Sequence, residues 1–318
     1  MKKLNNLEDF IFPTQEELFG RIPNAIKGKK IIVTGKYILV CGKAPVMLLA
    51  QLDTVHKESV KTICASDDGN ILMSPQGIGG DDRCGVYALI KAYREAPVKP
   101  WLLFTCDEEC GGKGADAFAR DYAKGNLPNL DHIKFLVEID RKGSNDAVYY
   151  SLDNPEFEVF IEQYGFELNF GSYSDICDVA PALGVAAVNL SSGYYQAHTQ
   201  HEYINRRELE ATISRVMDII ADSVSEDVPQ FEYIEQPPRF SKVGYRYYYD
   251  QCKLDIGIPE DDNDVPNDVP LEFVLAYEDL LAVYSKSEIE SMRKVYGNEV
   301  ISELYDDAYG PFVETHIS

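Results

Sequence analysis

Acidic side chains gather at a few points in this sequence, and most of those points follow a short apolar run. VMLLA, ending at Ala50, leads into Gln51-Leu52-Asp53. WLLF at 101–104 leads to Asp107-Glu108-Glu109, and FLVEI at 135–139 leads to Asp140. VAAVNL at 185–190 leads, through SSGYYQA, to His198. A further pair, Asp81-Asp82, follows three glycines in GIGGDDRCG and precedes a helix-like stretch. Carboxylates delivered together from several strands repel one another unless a cation sits between them. The chemistry in view is that of a metal-assisted hydrolase, which needs one carboxylate on the metal and one free beside the attacking water. Glu108 and Glu109, adjacent at a strand end, point different ways and can divide these two roles.

Each signal has a plainer reading. An isolated Asp behind glycines is more often a helix N-cap than a ligand. What turns Asp81 towards metal is its place in sequence between the other acidic pieces. Asp-Glu-Glu alone would be a solvated acidic turn, and a lone His is usually structural. Two of the five histidines, His198 and His201, lie in AHTQHEY beside Glu202. Their spacing would suit two ligands on a helix, but this stretch does not read as helix. His198 is therefore the candidate ligand and His201 the second choice.

The elements that must position these groups are strands and helices in alternation. The four apolar runs have strand length and are nearly continuous in apolar residues, as in central strands covered on both faces. CGVYALIKAYREA, GADAFARDYAKG and NPEFEVFIEQYG between them read as helices, and RRELEATISRVMDIIADSV closes this part near residue 224. KKIIVTGKYILVCG reads as an edge hairpin turning on Thr34-Gly35-Lys36. The fold class expected is α/β: a mostly parallel central sheet with helices on both faces, plus a C-terminal helical extension. Ligand sites in such sheets lie at the carboxyl ends of strands, where the acidic residues fall. The expected domains are an α/β domain over 1–224, a Pro-rich acidic linker over 225–270 and a helical extension over 271–318.

Composition sets the class of partner. The 318 residues carry 53 acidic against 30 basic side chains, a formal net charge of −23, which a nucleic-acid backbone would repel. Hydrophobic residues make up 45%, enough for a sizeable core. No apolar run is long enough for a bilayer, and MKKLNNLEDFIF lacks the apolar core of a secretory leader. Seven Cys without C-x-x-C spacing fit a reducing cytoplasm.

The order of motifs resembles the co-catalytic zinc exopeptidase superfamily, which includes compact leucyl aminopeptidases, tripeptidase T and the tetrahedral aminopeptidases. The resemblance covers about residues 30–222. It runs through QLD at 51–53, GGDDRCG at 79–85, DEECGGKGA at 107–115, EIDRKG at 138–143 and AHTQHE at 197–202. It implies that Asp81 bridges two metals, that Glu109 and His198 complete one site, and that Asp140 belongs to the other. It further implies that Glu108 is the general base and that Asp53 orients the first motif residue. That first residue is His in the family pattern and Gln51 here, a poor zinc ligand beside imidazole. The resemblance therefore implies one well-formed site and one weakened site. The ions expected are Zn2+, one or two per chain, with Co2+ or Mn2+ as alternatives. The intervals from Gln51 to Asp81 and from Asp140 to His198 leave no room for the inserted domains of the larger branches, so the layout is most similar to the compact leucyl aminopeptidase type.

The activity implied is hydrolysis of an amide next to a free amino terminus in a peptide or aminoacyl substrate. Two alternatives stand beside it: a catalytically silent binding module, with 225–318 as a surface for a protein partner or for docking on the domain, and an N-acyl-amino-acid deacylase. Tyr194 or Tyr195 could donate to an oxyanion, although aromatic packing is the preferred reading. Ser174-Asp175 resembles a substrate-pocket segment of the compact branch.

Overall fold

Continuous apolar runs become strands buried on both faces because neither face has polar side chains to offer water. The computed structural model describes residues 3–235, apart from 27–29, 57, 151, 153, 170 and 172, together with Ile289 and Arg293. Two short N-terminal helices, α1 (Glu8–Ile11) and α2 (Gln15–Ala25), precede the expected hairpin of β1 (Ile31–Val33) and β2 (Tyr37–Val40). The four apolar runs form β3 (Val46–Gln51), β6 (Trp101–Thr105), β7 (Phe135–Arg141) and β10 (Ala187–Ser191). Helices α3 (Gly80–Glu95), α4 (Lys113–Ala123), α5 (Pro155–Glu162), α6 (Ile176–Leu183) and α7 (Arg206–Ser223) occupy the intervals.

Eight strands pair in the order β1-β2-β6-β3-β7-β10-β8-β9, with β8 (Asp146–Val148) and β9 (Glu167–Asn169) at the far edge. β3 runs parallel to both β6 and β7, and β7 parallel to β10, while β1–β2, β2–β6 and β8–β10 are antiparallel. The α/β class and the edge position of the hairpin thus stand as expected. A second sheet, which the sequence did not announce, orders β11 (Tyr194–Tyr195), β12 (Tyr203–Asn205), β5 (Ile71–Met73) and β4 (Cys64–Ala65).

Alternation along the strands builds two cores. Val46, Leu48 and Ala50 of β3, with Val137 and Ile139 of β7, face a core shared with α3, α5 and α7. Met47, Leu49 and Leu136 face a smaller core with Ala115 and Phe118 of α4 and Ile176 and Val179 of α6. α3 comes very close to β7. A Cβ on Gly85 would stand 2.0 Å from the carbonyl oxygen of Ile139, so only glycine lets the start of this helix lie beside the end of that strand.

The chain divides into two compact units, Met1–Pro237 and Pro238–Ser318. From residue 236 onward the expected linker and helical extension lie outside the described residues, Ile289 and Arg293 excepted. No helix among the described residues is long and apolar enough to cross a membrane.

Candidate metal centre

β3, β6, β7 and β10 all end on the same side, as parallel neighbours must, and their polar residues meet there. Asp81, Glu109 and His198 each bring one ligand atom within 4.8 Å of the others. His198 Nε2 lies 3.1 Å from Asp81 Oδ2 and 3.2 Å from Glu109 Oε1. Asp81, Asp82 and Asp140 form a second such group, so Asp81 is common to both. Asp81, Glu109, Asp140 and His198, four of the ligands expected from the sequence, thus fall in these two groups, joined by Asp82, which carried no role on sequence grounds. His201 is exposed and belongs to neither group.

The backbone is contorted to deliver these side chains. Asp82 has φ 80° and ψ −54°, and His198 has φ 61°, conformations that cost an L-residue energy and recur at functional sites. Asp82 N–H donates to Asp140 Oδ1 at 3.2 Å. Glu202, fully buried, accepts from Gly79 N–H at 3.1 Å and Asp81 N–H at 2.7 Å, and pairs with His56. It grips the loop that carries Asp81. Nothing in the sequence flags His56 for this, and Glu202 stood out only as a neighbour of His201.

Asp53 is tied to the glutamate pair. Its two carboxylate oxygens accept from Glu108 N–H and Glu109 N–H, each at 3.2 Å. It fixes the backbone of the two glutamates, whereas Gln51 donates through Nε2 to Asp140 Oδ2 at 2.8 Å and to Asp82 Oδ1. Tyr194 and Tyr195 pack as preferred. Tyr194 is buried with its hydroxyl donating to the Asp140 carbonyl at 3.2 Å, and Tyr195 stacks on Tyr203 at 5.0 Å between ring centroids.

Behind Glu108 lies a buried polar chain. Asp140 N–H donates to Asn189 Oδ1 at 2.9 Å, and Asn189 Nδ2 donates to Ser174 Oγ at 3.1 Å. Ser174 donates to Glu138, which also accepts backbone N–H groups of Asp175 and Ile176 at the start of α6. Thr105 donates to Asp175. Glu138 had a sequence signal, a charge inside an apolar strand, that carried no assignment.

The titration behaviour follows from this crowding. Burial, then the charges of Asp175 and Glu109, push Glu108 up to about 9. Burial and the neighbouring carboxylates hold Asp82 and Asp140 well above the usual range. His198 is raised to about 11 by its hydrogen bonds to Asp81 and Glu109, because its proton is the only positive charge between them. These are the marks of a place built for added positive charge. Two carboxylates and an imidazole are a donor set that suits zinc. Asp82 Oδ2 in the second group, and Oε1 of the adjoining Gln51, are buried with no hydrogen-bond partner.

No protein-family model and no curated protein matches the chain. Among solved structures it is similar to a tripeptidase from Staphylococcus aureus, with TM-score 0.52 at 14% identity over 70% of this chain and 97% of that one. It is similar also to the aminopeptidase APDkam598 from the archaeon Desulfurococcus kamchatkensis, with TM-score 0.51 at 14% identity over 70% and 96% of the two chains. The TET1 peptidase of Pyrococcus horikoshii, which can assemble into a tetrahedron or a large octahedral shell, gives TM-score 0.50 at 14% identity over 67% and 98%. The chain carries the fold of these peptidases. Within this peptidase fold the carboxylates and His198 sit at the strand ends, where α/β sheets place their ligands.

Proposed function

We propose that the chain is a metal-dependent exopeptidase that hydrolyses the amide next to a free amino terminus in a peptide or aminoacyl substrate. The observation that carries this reading is the convergence of Asp81, Glu109 and His198 within 4.8 Å, with Glu108 next in sequence to one of the ligands. The shared fold with a tripeptidase and aminopeptidases supports it. Asp81, Glu109 and His198 would hold a zinc ion, which supplies Lewis acidity and lowers the pKa of water. Gln51 and Asp140 would flank it, and Co2+ or Mn2+ are alternatives to zinc.

The chain's own groups do the rest. Asp53 holds the Glu108 and Glu109 amides, which fixes where both carboxylates point. Glu108 takes the proton of the attacking water and returns it to the departing nitrogen. Its environment, which favours the protonated form, suits the second half of that task. The chain's negative charge does not oppose a substrate ammonium group. The described cysteines, Cys41, Cys64, Cys84, Cys106, Cys110 and Cys177, are free thiols, which is compatible with a cytoplasmic place of action.

The test is a substrate screen on the zinc-loaded full chain and its Glu108→Gln variant. Free-amino peptides should be cleaved and N-acyl amino acids left intact. Glu108→Gln should lower kcat by about 10²- to 10⁴-fold, the usual contribution of a general base, with zinc content unchanged. Turnover of acylated substrates alone would move the chain to the deacylases. Zinc binding without turnover of either class would make it a binding module.

A further inference from the structure

We infer that Gln15, at the start of α2, is a positioning residue for the pair Glu108-Glu109: it fixes the bend through which β6 delivers both glutamates. The bend falls at Asp107, which has φ 57°, in the left-handed region that L-residues enter at a cost. Such a conformation persists where its surroundings over-determine it. Here they do. Asp107 N–H donates to Gln15 Oε1 at 3.3 Å, and Gln15 Nε2 donates to Asp107 Oδ1 at 3.0 Å. Lys36 Nζ donates to Asp107 Oδ2, and the Asp107 carbonyl accepts from Lys113 N–H at 3.3 Å. Every polar group of Asp107 is engaged.

The next two amides, of Glu108 and Glu109, are held by Asp53, so Gln15 supplies the first of three consecutive holds on the loop. A primary amide suits that place. It donates and accepts in one plane, and so satisfies a backbone N–H and a carboxylate of the same residue. An alanine would satisfy neither, and a glutamate would set one carboxylate against another.

A plainer reading makes Gln15 an anchor for its own helix, but α2 has other anchors. Leu18 and Ile22 are fully buried in the core, and Arg83 clasps the carbonyls of Phe10 and Pro13 just ahead of the helix. The loop has no such support: none of residues 107–110 belongs to either core, and Cys110 is exposed. The tie therefore serves the loop. Residues 10–15 also reach the other side of the centre, because Arg83 directly follows Asp82 in the first turn of α3. One short N-terminal segment thus braces both backbones, the one that carries Asp81 and the one that carries Glu109. This deepens the proposed function and rests on it, since Glu108 is the general base of that reading.

The experiment compares the full zinc-loaded chain with Gln15→Ala, Gln15→Glu and the double variant Gln15→Glu/Asp107→Asn. The double variant exchanges donor and acceptor between the two side chains and so restores both hydrogen bonds; the Lys36 pair it gives up is exposed and worth little. Gln15→Ala should lower kcat by about 10-fold or more, towards the roughly 10²-fold that a misplacement of about 1 Å costs, with KM little changed. Its Tm should fall by no more than about 8 °C, the worth of two hydrogen bonds in a domain of this size. Gln15→Glu should be as slow, and the double variant should recover most of the lost rate. Hydrogen–deuterium exchange of the metal-free chain gives a readout that needs neither zinc nor substrate: segment 105–112 should exchange about 5- to 10-fold faster in Gln15→Ala and return to the wild-type rate in the double variant. Wild-type kcat in Gln15→Ala, or a double variant no faster than Gln15→Glu, overturns the inference. A wild type that cleaves no peptide refutes the proposed function alone; unchanged exchange of 105–112 in Gln15→Ala then removes Gln15 from its part, and faster exchange that the double variant reverses upholds it.

Discussion

His198 keeps a proton between Asp81 and Glu109, and that proton occupies the role a cation would take. Zinc uptake should therefore release protons, and its affinity should rise with pH. Calorimetry in two buffers of different ionisation enthalpy measures the number released; equal heats in both would contradict it. The same groups set a pH dependence of stability. His198 is raised from 6.5 to about 11 and Glu108 from 4.5 to about 9, so the folded chain binds more protons than the unfolded one. Stability must then fall with rising pH, through Glu108 between 4.5 and about 9 and through His198 between 6.5 and about 11. Asp107, held low by Lys36, acts in the opposite sense, but only in acid below 3.8. In chelator, Tm should drop steadily from about pH 5 to about pH 9, and saturating zinc should flatten the drop. A chelated protein with constant Tm over that range would show that these groups are not crowded in solution. The residues legible in the sequence were those whose charge breaks an apolar pattern at a strand end: Glu109, Asp140, and His198 after its loop. Asp82, His56, Glu202 and Asn189 were not, because their roles come from contacts made across long stretches of chain.

Among the elements, α3 sets the tolerance of the centre, since its first turn carries Asp81 and Asp82 and Gly85, a turn further on, touches β7. Gly85→Ala forces a methyl group against the Ile139 carbonyl one residue from Asp140. The variant should lose about 1–3 kcal/mol, the usual cost of overpacking, and should bind zinc more weakly. Denaturant unfolding and zinc titration check both; an unaffected zinc affinity would show that α3 does not register the site. Asp53→Asn replaces one of the two acceptors on the Glu108 and Glu109 amides by a donor. It should lower kcat more than it lowers zinc affinity, and the reverse order would give Asp53 a purely structural part. The four apolar runs were legible as strands because each is nearly continuous and of strand length. The second sheet was not: its strands have two or three residues, too few for any periodicity to register. Helix α6 hid behind Pro181, a residue that argues against helix unless tertiary contacts support it.

At the scale of the whole unit, the cores on the two sides of the sheet come from one alternating pattern, and the N-terminal helices are tied to the centre through Arg83. This guanidinium, 2% exposed, donates through Nη1 to the carbonyls of Phe10 at 3.3 Å and Pro13 at 3.1 Å, and through Nε to that of Asp53 at 3.4 Å. Gln15 adds a second tie: its Nε2 donates to Asp107 Oδ1 at 3.0 Å, and its Oε1 accepts from Asp107 N–H at 3.3 Å. Arg83→Met should keep the sheet intact and open the first helices to protease well before the rest of the unit, a difference limited proteolysis resolves. Cleavage at the wild-type rate would remove Arg83 from that role.

Arg83 also imposes an order on biosynthesis. The carbonyls of Phe10 and Pro13 leave the ribosome long before the side chain that will clasp them, so the first helices must wait undocked while some seventy further residues are translated. Until then Phe10, Leu18 and Ile22 cannot complete the core they share with Val86 and Leu89 of α3.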